Sequence, residues 1–304
     1  MTPSRSVRCF RAVIFTCCLA LLLCPTTQSR QVTDQLGRNM QIADHPGRII
    51  ALAPSITEII FDLHQQHRLV GVTQFSDYPP AARKLPKVGS YVQLDIEKIV
   101  SLKPDLCIGI RDGNPIALVR RLESLGIPVY AVNPTNLERV MGTVDEIGSL
   151  LGSQAQARRL TADMRARVQA VKTRIASSRS RPRVFFQIGI SPIVSAGTHT
   201  FINELIRLSG GVNIAAGPVN YPRYTEEEVI RLKPDIIIIT SMARGVRFET
   251  VKARWLRWKS IPAVRKNRIH LVDSNLVDRP SPRLVDGLEA MARIIHPELF
   301  GNPQ

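Results

Sequence analysis

Side chains capable of covalent, redox or metal chemistry are few and scattered in this 304-residue chain. Its six histidines are His45, His64, His67, His199, His270 and His296, and only His64 and His67 are close in sequence. A three-residue spacing can put that pair on one helix face. No acid or cysteine accompanies it at metal-site spacing, so the pair reads as helix-end residues and no metal site is expected. Gly189-Ile190-Ser191-Pro192-Ile193 lacks the second glycine of a nucleophile elbow. The chain has no Walker-type phosphate loop and no G-x-G-x-x-G after a strand. Cys107 sits inside the apolar run Leu106–Ile110 and reads as a small buried hydrophobe. Trp255 and Trp258, three apart, read as packing one helix onto a sheet. These observations exclude the common enzyme classes and imply no bound cofactor.

Two glutamates stand out for their placement. The run Ile96-Glu97-Lys98-Ile99-Val100-Ser101-Leu102-Lys103-Pro104-Asp105-Leu106-Cys107-Ile108 is echoed, 130 residues on, by Glu226-Glu227-Glu228-Val229-Ile230-Arg231-Leu232-Lys233-Pro234-Asp235-Ile236-Ile237-Ile238. Glu97 and Glu227 occupy the same place in both copies. In each copy an acidic first turn opens a short helix, and LKPD ends it because the residue before proline avoids the α region. The apolar run that follows reads as a parallel strand buried on both faces. A repeat this long implies two similar lobes rather than a solenoid.

Each lobe opens in the same way. Arg48–Leu52 is a strand, Ser55-Ile56-Thr57-Glu58 reads as a capping box opening a helix, and Val70–Val72 is the next strand. In the second lobe Arg183–Ile188 is the strand and Phe201–Ile206 begins the helix. A helix ends at Gly126 before a strand near Val129. The fold class is therefore α/β: two Rossmann-like lobes with parallel sheets. Between them Leu137–Leu151 is helical, Gly152 breaks it, and Ser153 caps a helix to about Ala176. That helix is roughly 35–40 Å long, enough to span both lobes as a single tether. Such a tether restricts hinge closure more than flexible strands would. Ser281 as N-cap with Pro282 at the first position opens the last long helix. The domains are 1–29 leader, 30–47 lead-in, 48–136 N-terminal lobe, 137–181 interlobe helix and loop, and 182–304 C-terminal lobe.

The leader has the charged, apolar, small-residue order of a cleavable secretory signal: Arg5, Arg8 and Arg11, then Ala12–Cys24, then Thr27 and Ser29. Its apolar run is short for a membrane span. Leu23 is large for a lipoprotein site, which favours cleavage near Ser29 over lipid anchoring at Cys24. Four of the five cysteines lie in this leader, so a disulfide framework is excluded for the rest. Removing it takes away three arginines and no acid, lowering the formal charge from +16 to +13. The remaining arginines are spread along helices without aromatic platforms, and export removes most nucleic-acid partners.

The stretch from Arg48 to about Leu299 resembles the substrate-binding proteins of ABC importers for cobalamin and iron chelates, the helical-tether class, nearest its cobalamin-binding members. Ser76-Asp77-Tyr78-Pro79-Pro80, the two Lys-Pro-Asp turns, Gly109–Asn114, Gln187–Ile190 and Ser281-Pro282-Arg283 carry the resemblance in order. It implies a monomeric periplasmic receptor that holds a flat metal chelate between its lobes. It would hand that ligand to an inner-membrane permease with its ATPase. Phe75, Tyr91 and Tyr221 match the aromatics that embrace a corrin. Tyr91 and Tyr221 stand where cobalamin-binding members carry tryptophan, Ile110 and Ile188 where they carry aromatics, and Asn275 where they carry Asp. An iron siderophore or haem is the alternative ligand, with Tyr91 or Tyr221 as an axial group. Arg111, Asn114, Asn275 and Arg279 follow expected strands, where open α/β sheets place ligand contacts. The resemblance makes Glu97 and Glu227 the permease-docking pair. An acid in a first helical turn also favours the helix dipole, and both readings stand at this point.

Overall fold

The computed structural model describes residues 28–240 and 248–300. Most of the expected leader, Cys24 included, lies outside them. The lead-in is a hairpin of β1 (Ser29–Thr33) and β2 (Asn39–Ala43), paired antiparallel and turning at Gly37 with φ 78°.

The first lobe runs β3 (Ile49–Ala51), α1 (Pro54–Asp62), β4 (Leu69–Val72), α2 (Ile96–Ser101), β5 (Leu106–Ile110), α3 (Ile116–Ser124) and β6 (Val129–Val132). Its sheet has the order β4-β3-β5-β6 and is parallel throughout. Every residue of β5 is buried, because hydrophobic clusters cover both sheet faces: Ile49, Ile56 and Ile108 on one, Ile50, Cys107 and Leu122 on the other. Burial pushes the Cys107 thiol up to about 12, which makes it inert.

Two helices follow, α4 (Leu137–Leu150) and α5 (Gln154–Ala176). The expected long helix is α5, which has 23 residues and is about 34 Å long. Both helices straddle the lobes. Leu137, Val140, Met164 and Val171 join the core of the second lobe, while Val144, Ile147 and Ala157 join that of the first. Arg30 of the hairpin donates to the Ser149 and Leu150 carbonyls at the end of α4.

The second lobe comprises β7 (Arg183–Gln187), β8 (Gly189–Ile190), β9 (Ile193–Val194), α6 (Phe201–Leu208), β10 (Val212–Asn213), β11 (Arg223–Tyr224), α7 (Glu226–Leu232) and β12 (Ile236–Thr240). After them come α8 (Phe248–Leu256), α9 (Pro262–Arg265), β13 (Ile269–Val272), α10 (Ser274–Val277), α11 (Leu284–Ile295) and α12 (Pro297–Phe300). The main sheet, β10-β7-β12-β13, is again parallel. A small antiparallel sheet of β8, β9 and β11 flanks it. Trp255 is buried in the cluster against β7 and β12, as its spacing suggests.

Three capping expectations are corrected. The first is the box at Ser55: the N-cap of α1 is Ala53, with no side-chain cap, because Glu58 turns away to the second lobe. The second is Ser153, which occupies the N-cap of α5 as expected but makes no side-chain capping bond; its hydroxyl donates back to the Gly148 carbonyl. The third is Ser281: the N-cap of α11 is Arg283, and the Ser281 hydroxyl donates to Glu58.

Candidate functional site

The loops that follow the parallel strands at their carboxyl ends carry the expected site residues, where open α/β sheets place ligand contacts. After β4 comes Phe75, and Tyr91 lies edge-on to it with ring centroids 6.4 Å apart and planes at 64°. Tyr91 is packed against Gly113, where a Cβ would meet its ring at 2.9 Å.

Asn114 explains how Tyr91 is held. Its amide oxygen accepts from the Ile110 N–H at 2.7 Å, and its nitrogen donates to the Leu52 and Tyr91 carbonyls at 2.9 and 2.7 Å. With 8% exposure and its hydrogen-bonding groups engaged, Asn114 serves as a brace for Tyr91. Arg111 beside it is exposed, as is Asp112.

Tyr221 belongs to the second lobe and is half exposed. Its phenol is raised by desolvation, then by the charges of Asp112 and Asp278 and by Tyr91. Asp112 and Tyr91 are first-lobe residues, so the Tyr221 phenol lies within electrostatic reach of the opposite lobe. Asn275 lies half-buried on α10.

Arg279 is committed elsewhere. Nη1 donates to Glu58 Oε1 and Asp77 Oδ1, both at 2.9 Å, and Nη2 donates to the Phe75 carbonyl at 3.1 Å. Its charge is matched by first-lobe acids. Beside it both carboxylate oxygens of Asp278 are buried. Burial raises Asp278 to about 7; the Thr240 hydroxyl and Arg279 offset this, and Asp273 adds to it.

The two echoed helices differ in what their acids do. Asp95 caps α2 by accepting from the Lys98 N–H. On α7, Thr225 and Glu228 form a reciprocal capping box. Glu226 is half-buried and accepts from Arg254, Arg257 and the Trp258 indole. Glu97 and Glu227 are exposed and make no ion pair among the described residues. Local structure thus uses up the neighbouring acids and leaves this pair available to a partner.

Glu58, Asp77, Asp278 and Ser281 escaped recognition as site residues. Glu58 and Ser281 meet across 223 residues of sequence, and no spacing rule reveals such a pair. Among the described residues no cluster of three or more His, Cys, Asp or Glu could hold a metal ion.

A profile of the periplasmic binding protein family matches residues 49–276. The uncharacterized ABC transporter substrate-binding lipoprotein YvrC of Bacillus subtilis (strain 168) is 31% identical over 275 residues, covering 88% of this chain and 86% of the relative. The periplasmic vitamin B12 binding protein BtuF of Vibrio cholerae superposes with a TM-score of 0.71 and 31% identity, covering 82% of this chain and 96% of that one. A periplasmic heme binding protein from Pseudomonas aeruginosa gives a TM-score of 0.76 with 27% identity, covering 84% and 94%. Among the described residues no helix is long and apolar enough to cross a membrane. With the two-lobed parallel α/β fold and the extent of the profile match together, the chain belongs to the periplasmic binding protein family.

Proposed function

We propose that this protein is the substrate-binding component of an ABC importer and that it captures cobalamin or a related corrinoid between its lobes. The observation that carries this reading is the aromatic pair Phe75 and Tyr91, edge-on in the first lobe, with Tyr221 of the second lobe within electrostatic reach of Tyr91 and Asp112. Aromatic faces on two sides suit a broad, flat ligand. The likeness to the Vibrio cholerae vitamin B12 binding protein supports it.

Haem is the second reading, favoured by the likeness to the Pseudomonas aeruginosa heme binding protein. Two features of the cleft speak for the corrinoid. An axial tyrosine binds ferric iron as phenolate, and of the two candidates, Tyr91 and Tyr221, the second sits where burial and neighbouring carboxylates oppose ionisation. Haem also carries two carboxylates, and with Arg279 already neutralised by Glu58 and Asp77 Arg111 is the one cation left to meet them among the expected site residues. A corrinoid's amide groups need no such counter-charge, and Arg111, Asn275 and Asp112 offer donors and acceptors for them.

No bond is made or broken in this role. The ligand enters, the lobes adjust slightly, and Glu97 and Glu227 present one carboxylate per lobe to cationic groups of the permease. Charge complementarity of this kind sets orientation and encounter rate. Removal of the 1–29 leader takes only Ser29, paired with Ala43, from the open end of the hairpin and leaves the pairs from Arg30 to Thr33; the product is a free periplasmic monomer. Lipid attachment at Cys24, as the lipoprotein relative suggests, is the alternative. Mass spectrometry of membrane and periplasmic fractions distinguishes the two. The ligand is tested by visible-absorption titration with hydroxocobalamin, haemin and ferric siderophores, whose spectra differ.

A further inference from the structure

The loop that carries Phe75 is held from both lobes. Within the first lobe Lys87 Nζ donates to the Ser76 and Ala82 carbonyls, both at 3.0 Å. The Ser76 hydroxyl accepts from Thr57 and pairs with Thr73. From the second lobe Arg279 reaches the Phe75 carbonyl and the Asp77 carboxylate. The Arg283 guanidinium lies 3.8 Å from the centroid of the Tyr78 ring, a stacked cation–π contact. Three contacts on one short loop, at Phe75, Asp77 and Tyr78, therefore come from one second-lobe segment.

That segment has an anchor. Glu58, on α1 of the first lobe, is 1% exposed. Its carboxylate accepts from Arg279 at 2.9 Å and from the Ser281 hydroxyl at 2.6 Å, and Arg283 approaches to 3.8 Å. A charge this deeply buried is tolerated only while paired, and drawing the lobes apart here would break its bonds to Arg279 and Ser281. The tether helices join the lobes covalently, and this cluster joins them a second time without a covalent link.

We infer that Glu58, Arg279 and Ser281 form an interlobe clamp that positions the Phe75 loop and thereby sets the width of the ligand cleft. Arg279, placed by sequence among ligand contacts, is in this assignment a positioning residue acting through Phe75. Motion on ligand capture pivots about the clamp instead of breaking it. The inference rests on the reading that Phe75 faces the ligand, but the clamp itself has consequences in the ligand-free protein.

The test pairs a ligand-free readout with a ligand readout. Spin labels are attached at Arg120→Cys and Lys259→Cys, exposed positions in opposite lobes, and the interlobe distance distribution is measured by pulsed EPR. Cyanocobalamin dissociation is measured by stopped flow on the unlabelled proteins. Arg279→Met and Glu58→Gln are expected to broaden the distance distribution and to speed dissociation at least tenfold, with Arg279→Lys intermediate. Arg167→Met removes an ion pair of the same kind, between α5 and Asp286 and Glu289 on α11. It is expected to leave both readouts within twofold of the parent. If Arg279→Met fails to fold, Ser281→Ala carries the same test with an expected change of at least twofold, since it exposes no charge. An unchanged distribution in a folded Arg279→Met or Ser281→Ala protein overturns the clamp. A broadened distribution with unchanged dissociation overturns the positioning of Phe75. Broadening while even the parent fails to bind cyanocobalamin leaves the clamp standing and rejects the ligand reading.

Discussion

Lys103 and Lys233 stand 130 residues apart and adopt the same left-handed backbone conformation, with φ 47° and 46°. Each ends a helix and precedes proline, and each is followed two residues later by an aspartate that accepts backbone N–H groups from the start of its lobe. Asp105 accepts from Gly47 and Arg48, and Asp235 from Arg183. The arginines reciprocate: Arg48 donates to the Leu102 and Lys103 carbonyls, and Arg183 to the Leu232 carbonyl. The echo in sequence is thus an echo in hydrogen bonding, one turn-and-clasp per lobe.

This geometry makes a stability prediction. A β-branched residue is strained in the left-handed region, whereas glycine is not. Lys103→Val or Lys233→Val is expected to cost about 1–2 kcal/mol, and Lys→Gly at either site to be near neutral. Asp105→Ala removes bonds to two N–H groups and Asp235→Ala to one, so the former is expected to cost more, by about 1 kcal/mol. Urea unfolding of the six variants measures this. Equal tolerance of valine and glycine would contradict the assigned conformation.

Asp278 gives the pH dependence. In the folded protein its carboxyl is raised from 3.8 to about 7, so the fold holds a proton that the unfolded chain has already released over that interval. Stability from this group is therefore intact below about pH 4 and declines as the pH rises toward 7. Asp278→Asn, which cannot ionise, is expected to stabilise the protein by about 2–4 kcal/mol at pH 8 relative to its effect at pH 4. Denaturant midpoints at the two pH values test it, and an equal difference at both would count against a buried, proton-holding carboxyl.

Asn114 links stability to the site. Asn114→Ala leaves the buried Ile110 N–H and the Leu52 carbonyl without a partner and frees the Tyr91 backbone. The expected cost is about 2–4 kcal/mol, together with weaker ligand binding. Arg111→Ala, on an exposed neighbour, is expected to leave stability within about 0.5 kcal/mol.

The acids of α2 and α7 separate docking from folding. Glu97→Lys with Glu227→Lys is expected to abolish uptake while ligand affinity and stability stay unchanged. Glu226→Gln, which loosens the contacts to Arg257 and Trp258 on the α8 side, is expected to lower stability instead. Vesicle uptake assays beside calorimetry decide this, and normal uptake by the double reversal would eliminate the docking role.

Much of this architecture was legible from residue patterns because it rests on local physics. The apolar runs at Leu106–Ile110 and Ile236–Thr240 are buried on both faces, and the long helix ends at Ala176. Capping was misjudged at Ser55 and Ser281 for a common reason. Both belong to segments whose polar side chains answer to the opposite lobe, and Glu58 satisfies Arg279 and Ser281 instead of its own helix. Arg279 carries the same lesson. A cation in a loop after a strand looks available to a ligand until its partners, 202 and 221 residues away in sequence, are known.

Titration of the purified protein with hydroxocobalamin and, separately, with haemin, followed by visible absorption, tests the central claim most directly. A saturable spectral change at one cobalamin per protein, absent with haemin and weakened by Tyr91→Ala and Tyr221→Ala, is the predicted result. No change with cobalamin, together with a Soret shift on adding haemin, would contradict it.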